Sequence, residues 1–336
     1  MTRAHPRRAA ATQREVQTVP KTMRAVAIDD TGGPETLTIH QLPVPAIDDI
    51  EVLIAVDTAG VGSWDPAIRG GWWPSGRPHF PLVLGTDGSG TVVATGSRVR
   101  RLKVGDKVYG FSWLSSKGGF YAEFAAVEAS MAQRVPKSLD LKRAGALAAT
   151  GLTALQGVDN ALRVRPGETV IIHGASGGVG TLAVQFAKWR GARVFATASG
   201  KDGAELVRGL GADQAIDGRH EDIPAAIRRF APDGVNAVFA LAGGEPLERC
   251  LDALRPDGRL AYPNGVEPEP RKRGNLRPVT YDAIADVGEL ELLNQAVEAA
   301  RLRVVIAAEY PLAQAAQAHE RVEAGHVLGK VVLRVR

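Results

Sequence analysis

The stretch that most restricts this chain is "TVIIHGASGGVGTLAVQFAK", residues 169–188. An apolar run leads into a turn with glycines at 174, 177, 178 and 180, and a helical pattern follows. Strand, tight turn, helix is the setting in which a glycine-rich turn holds a dinucleotide pyrophosphate. The fingerprint places fall at Ala175, Gly177 and Gly180, with alanine standing first. Gly177 lets the backbone approach the diphosphate, and Gly180 lets the helix pack close to the strand. Ser176, Gly178 and Val179 complete the turn, whose free N–H groups and positive helix end favour an anion.

The rhythm after residue 150 supports that reading. "ARVFATA", "DQAID", "VNAVFALAG" and "GRLAYP" alternate with helical patterns over 178–190, 202–210, near 221–230 and near 246–254. Such alternation predicts a parallel sheet covered by helices on both faces. Residues 23–150 read differently. "MRAVAI", "TLTIHQL", "EVLIAVDTAGV", "GSGTVVATG" and "KVYGF" are short strand runs separated by turns such as Thr31-Gly32-Gly33-Pro34. This half is predicted to be mostly β. A helix over about 286–300, an extended piece near 303–308, a helix over 312–324 and a strand "KVVLRV" close the chain.

Composition excludes several alternatives. No apolar stretch approaches the ~20 residues of a membrane helix, so no membrane association is expected. Four arginines against Glu15 put +3 of the formal +4 charge in residues 1–20, leaving +1 for the rest. A near-neutral body is a poor nucleic-acid binder, and the arm lacks the apolar core of a secretory signal. A disordered basic tail over 1–22 is the expectation. The single cysteine, Cys250, excludes an intramolecular disulfide and a multi-cysteine zinc site. Its helical spacing with Leu247, Leu251 and Leu254 marks it as a core residue.

The second parallel strand bears on the choice of nucleotide. An acidic residue about 20 positions beyond the turn usually accepts a ribose 2′-hydroxyl. Here the strand ends at Ala198-Ser199-Gly200-Lys201, with no carboxylate at 198 or 199. Ser199 can donate to a 2′-phosphate, Lys201 can neutralise it, and Arg219 can add a further clamp. Lys201 can also be read as an ordinary solvated helix-start residue. NADPH is the favoured cofactor.

These stretches carry a resemblance. "GVGSWDPAIRGG" (60–71), "LGTDGSGTVVATGSRV" (84–99), "KVGDKVYG" (103–110), "ATGLTALQGV" (149–158), the glycine-rich turn and "GHVLGKVVLRV" (325–335) occur in order. The chain resembles the zinc-independent medium-chain dehydrogenases/reductases of the quinone oxidoreductase, zeta-crystallin-like, type. The resemblance implies an α/β protein with a mostly-β GroES-like domain over 23–148, completed by about 285–336. A doubly wound Rossmann domain over 149–284 would sit between, with the active site in the cleft. It also implies a cytoplasmic homodimer, and the 303–308 run can supply an edge strand that pairs across a two-fold axis or is shielded within one chain.

Zinc-dependent relatives carry a cysteine where this chain has Gly62 and a His-Glu pair where it has Thr86-Asp87. Neither glycine nor threonine is a plausible zinc ligand. The resemblance therefore implies hydride donation from NADPH to a small electrophilic acceptor, a quinone or an α,β-unsaturated carbonyl. It places Thr153, the loop Leu241, Ala242 and Gly243, and Asn264 around the nicotinamide end. Gly329 and Lys330 return to the cleft from the C-terminal segment.

The acceptor side is less determined. Trp64 and Trp73, with Trp72 beside them, suggest an aromatic-walled pocket, unless they pack beneath a surface loop. Tyr121 can face the cleft or pack as a strand phenol. Ser63 is the candidate polariser of the acceptor carbonyl, water the alternative proton source, and Asp65 reads as a loop anchor. His173 reads as a strand histidine, and His326 shows no partner in sequence. An enoyl-thioester reductase or a non-catalytic NADPH-binding sensor would share these motifs. No tyrosine is followed four residues later by lysine, which removes the short-chain dehydrogenase alternative.

Overall fold

The computed structural model of the chain describes residues 19–336 apart from 74, 75, 77 and 275. The expected tail falls, up to residue 18, outside the described residues.

Thr169–His173 lies inside a six-stranded sheet whose neighbouring pairs are all parallel. The order across the sheet is Gln214–Asp217, Arg193–Ala198, Thr169–His173, Val235–Ala240, Leu254–Pro263, Val279–Tyr281. This is the doubly wound dinucleotide-binding order. Alternate side chains explain why the strand is apolar throughout. Val170 and Ile172 enter one core cluster and Ile171 another, so both faces are covered. Helices Gly178–Trp189, Gly200–Gly209, Ile223–Phe230 and Glu245–Leu251 connect the strands. Val279–Tyr281 has no counterpart in the sequence reading, because three residues carry no period.

The mostly-β half forms two further sheets. Thr22–Ile28 pairs with Thr38–Pro43 and Leu82–Val83 in a three-stranded antiparallel sheet. Glu51–Val61, nearly all buried, is the spine of a seven-stranded sheet. It pairs antiparallel with Asp87–Thr95, with Phe124–Glu128 and with the last strand, Lys330–Arg334. The chain end thus returns to the first half.

The extended piece expected near 303–308 is the strand Ile306–Pro311, parallel to Lys330–Arg334 and at the sheet edge. Its start is displaced because the residues ahead of it serve as a tie. The Arg303 N–H donates to Gln185 Oε1 at 2.8 Å, and the Val305 carbonyl accepts from the Lys330 N–H at 2.9 Å.

Cys250 is fully buried in the helix Glu245–Leu251. Burial pushes its thiol up to about 12. Thiol reagents at neutral pH are therefore expected to leave the native protein unlabelled and to modify one equivalent after denaturation; rapid native labelling would contradict this packing.

Candidate active site

The glycine-rich turn is built by close packing. A Cβ at Gly180 would lie 2.5 Å from the Gly174 carbonyl oxygen and 2.6 Å from Ala175 Cα. Gly180 therefore brings the helix against its own strand. At Gly177 the nearest atom is 3.8 Å away, leaving the backbone open to approach. Ala175 and Ser176 are buried, while Gly177, Gly178 and Val179 are partly exposed. The C-terminal segment closes on this turn: the Gly329 N–H donates to the Ser176 carbonyl at 2.9 Å, and Gly329 pairs with Gly177. Lys330 runs past Gly178, its Cδ 3.1 Å from where a Cβ would stand. A strand-to-helix turn with open N–H groups and a neighbouring cation fits a dinucleotide diphosphate.

At the far end of the same sheet edge, Ser199 follows Arg193–Ala198, with Lys201 and Arg219 exposed beside it. Here the structure gives His326 its partners and adds Asp202, which the sequence reading missed. Ser199 Oγ is 2.9 Å from His326 Nδ1, and His326 Nε2 is 3.0 Å from Asp202 Oδ2. This hydrogen bond holds the Asp202 carboxyl below the usual carboxylate range. No local pattern marks a histidine 127 positions from its serine.

Thr153 lies on the helix Ala148–Gln156, its hydroxyl bonded back to the Ala149 carbonyl at 2.8 Å. Leu241 and Ala242 lie over Gly174, with atoms 3.3–3.4 Å from a Cβ placed there. Gly243 is pressed against Pro268, whose carbonyl would be 2.1 Å from a Cβ. Asn264 is exposed, and its amide donates to Asp282 Oδ2 at 2.9 Å. Its side chain is thus engaged with the segment after Val279–Tyr281. His173 is a strand histidine, buried, bonded to Thr197 Oγ1 at 2.7 Å and brought down to about 4 by that burial.

The place of a metal ligand is filled by an indole. A Cβ at Gly62 would lie 2.3 Å from Cε2 of Trp64, so a side chain here would displace the ring. The Trp64 Nε1–H donates to Thr86 Oγ1 at 2.7 Å, and the Lys330 ammonium stands 5.2 Å from the indole centroid. Glycine, threonine and a packed indole do not fit zinc. Among the described residues no group of three or more His, Cys, Asp or Glu could hold a metal ion.

Other expected pocket residues take different positions. Trp73 turns inward, its Nε1–H donating to the Ile68 carbonyl at 3.0 Å and its ring meeting Phe80 edge-on at 6.0 Å. Trp72 and Trp113 are exposed, in a T-shaped pair 6.1 Å apart. Ser63 is exposed. Tyr121 is corrected from a cleft residue to a fully buried one, because its hydroxyl closes a polar network inside the β half. That hydroxyl donates to Asp65 Oδ2 at 3.0 Å and lies 3.1 Å from His319 Nε2. Arg69 Nη1 is 3.2 Å from His319 Nδ1, and Arg69 Nη2 pairs with Glu323 at 2.8 Å. Burial and then Arg69 bring His319 down to about 3, so it is neutral.

Asp65 borders a small recess of about 10 Å3, room for about one water molecule, lined also by Ile68, Leu84, Thr86, Ser112 and Leu114. Burial raises its carboxyl to about 7, against the opposing influence of the Gly62 N–H and Lys330. Asp87, also buried and raised, lies 3.8 Å from Lys330 Nζ. Three atoms in this cluster, Asp65 Oδ1, Asp87 Oδ1 and Lys330 Nζ, are buried without a hydrogen-bond partner among the described residues.

Residues 48–137 match the alcohol dehydrogenase GroES-like domain family, and residues 210–333 the zinc-binding dehydrogenase family. Quinone oxidoreductase of Rattus norvegicus is 32% identical over 93% of this chain and 98% of its own length. NADPH-dependent alkenal/one oxidoreductase of Arabidopsis thaliana, a chloroplastic protein, is 31% identical over 94% of this chain and 80% of its own. The structure of Escherichia coli quinone oxidoreductase complexed with NADPH superposes with a TM-score of 0.83 at 27% identity, covering 93% of this chain and 100% of that one. The order of its parallel strands, the indole packed where a zinc ligand would stand and these likenesses place the chain in the quinone oxidoreductase branch of the medium-chain dehydrogenase/reductase family.

Proposed function

We propose that this protein is an NADPH-dependent reductase that adds hydride to a quinone or an α,β-unsaturated carbonyl without a metal ion. The observation that carries the reading is the indole packed over Gly62 and bonded to Thr86. It leaves the cleft no Lewis acid to activate a simple alcohol, which favours acceptors that are already electrophilic. NADPH supplies the hydride when bound. The chain's own contribution is positional and electrostatic. The turn Ala175–Gly180, with Gly329 closing on it, holds the diphosphate, and Thr153 and Leu241–Gly243 flank the nicotinamide end. Ser199, Lys201, Arg219 and His326 meet the 2′-phosphate. Trp72 and Trp113 form an apolar lip for a flat acceptor.

NADPH oxidation followed at 340 nm against a panel of quinones and enones tests this. Turnover of at least one class is expected, and NADPH binding without any turnover would overturn the reading.

The nucleotide preference gives a sharper prediction. Replacing His326 by alanine exposes the charge of Asp202 beside the 2′-phosphate and removes a charge-assisted hydrogen bond. The Kd for NADPH is expected to rise about ten-fold, as the loss of one such bond predicts. The Kd for NADH should move far less, as read by fluorescence titration. Equal changes for both nucleotides would contradict the assignment.

The enzyme works as a cytoplasmic homodimer, with the open edge Ile306–Pro311 as its pairing surface. Light scattering that found only the monomer mass would remove this part of the proposal.

A further inference from the structure

Reduction of an enone or quinone needs a proton as well as a hydride, and no residue assigned so far supplies it. This inference rests on the reductase reading. We propose that Asp65 is the acid that protonates the reduced acceptor, its proton passing through a single water in the small recess that Asp65 lines together with Thr86 and Ser112.

The hydrogen-bond directions fix which oxygen carries the proton. Arg69 has only donors to offer, so His319 Nδ1, 3.2 Å away, must accept. The neutral ring then carries its hydrogen on Nε2 and donates it to the Tyr121 oxygen at 3.1 Å. Tyr121 has one hydrogen, and it goes to Asp65 Oδ2 at 3.0 Å. The Gly62 N–H donates to the same Oδ2 at 2.8 Å. With two donors aimed at Oδ2, a proton on Asp65 sits on Oδ1. That atom is buried and has no hydrogen-bond partner among the described residues.

The surroundings keep the proton in place near neutrality. Burial is the leading influence on Asp65, and the Asp87 carboxyl from Asp87–Thr95 acts in the same direction. Lys330 from the last strand opposes it, as do the Gly62 N–H and the Tyr121 hydroxyl. Arg69 and Glu323 neutralise each other behind His319. The resulting carboxyl, at about 7, suits a general acid working at physiological pH.

The step balances as follows. Hydride adds to the acceptor carbon, and the π electron pair moves onto the acceptor oxygen. The Oδ1–H bond of Asp65 breaks as a water in the recess takes that proton, and the water gives one of its own protons to the acceptor oxygen, forming its O–H bond. Asp65 is left as a carboxylate, held at Oδ2 by Tyr121 and Gly62, and regains a proton from water through the recess.

Asp65→Asn keeps the shape and the two contacts to the retained oxygen but has no acidic proton. It is expected to bind NADPH with the wild-type Kd, to lose about 100-fold in kcat, and to lose the fall in activity above pH 7. A readout without cofactor or acceptor is infrared difference spectroscopy between pH 5 and pH 9. It should show a protonated carboxyl band in the wild type that is missing from Asp65→Asn. Tyr121→Phe removes a donor from the carboxylate, so the infrared midpoint and the activity limb should both move to higher pH.

Asp65→Asn with wild-type kcat and pH profile would overturn the proposal. So would the absence of the band, or an unmoved midpoint in Tyr121→Phe. A wild type that binds NADPH but reduces no acceptor sinks the reductase reading and this inference together. A wild type that turns over equally with and without Asp65 sinks this inference alone.

Discussion

Replacing Gly180 by alanine is expected to raise the Kd for NADPH at least 100-fold, a loss of about 2.7 kcal/mol in binding. The added methyl would stand 2.5 Å from the Gly174 carbonyl oxygen and within 2.7 Å of two Ala175 backbone atoms. None of these is the end of a flexible side chain, so the helix Gly178–Trp189 must move away from its strand. Its N-terminal N–H groups move with it, and the diphosphate loses its partners. Overpacking of this kind also costs about 1–3 kcal/mol of stability. Fluorescence titration and a thermal melt read the two effects separately. A variant with wild-type affinity would show that the turn tolerates displacement and does not hold the anion.

The second large effect is the contribution of Asp65 to the pH dependence of stability. Asp65 is raised from 3.8 to about 7 by burial, so the folded protein binds a proton that the unfolded chain releases. Its contribution is fully present below the unfolded value, near pH 4, and is lost as pH climbs to about 7. The raised Asp87 acts in the same sense. Carboxyls held low by partners, such as Asp213 with Lys188, act oppositely but only as pH falls below the ordinary carboxylate range. Buried His173 and His319, held down to about 4 and about 3, act the other way, since the unfolded chain takes up protons near 6.5 that the folded one refuses. The Asp65 contribution is therefore read as a difference: Asp65→Asn should be more stable than wild type at pH 8, by up to ~4 kcal/mol, and that margin should shrink on going down to pH 5. A stability curve unchanged by the substitution would show that Asp65 is not held protonated.

Much of this molecule is written in short-range patterns. Glu51–Val61 and Lys107–Phe111 fall where their quoted runs do, because strand alternation and turn residues are local. The nucleotide turn is equally local, since seven consecutive residues define it. The polar chemistry is not. Tyr121 and His319 are 198 positions apart, and Arg69 and Glu323 are 254. Only the antiparallel pairing of Lys330–Arg334 with Glu51–Val61, which folds the chain end back, places such residues together. Tryptophan offers a related ambiguity. Residues 64, 72 and 73 look alike in sequence, yet one fills a ligand position, one is exposed and one is turned inward. Backbone direction over a single short helix, Asp65–Arg69, separates them. The tie through Gln185 likewise shifts the edge strand to 306, which periodicity over 303–308 does not reveal.

The bond from Gly329 to Ser176 fastens the end of the seven-stranded sheet to the glycine-rich turn. Gly329 has a left-handed backbone, φ +104°, and a Cβ there would stand 2.4 Å from the Val305 carbonyl oxygen. A side chain at this position would have to push the last strand off the turn, so damage at the chain's far end is expected to be felt first as weakened nucleotide hold.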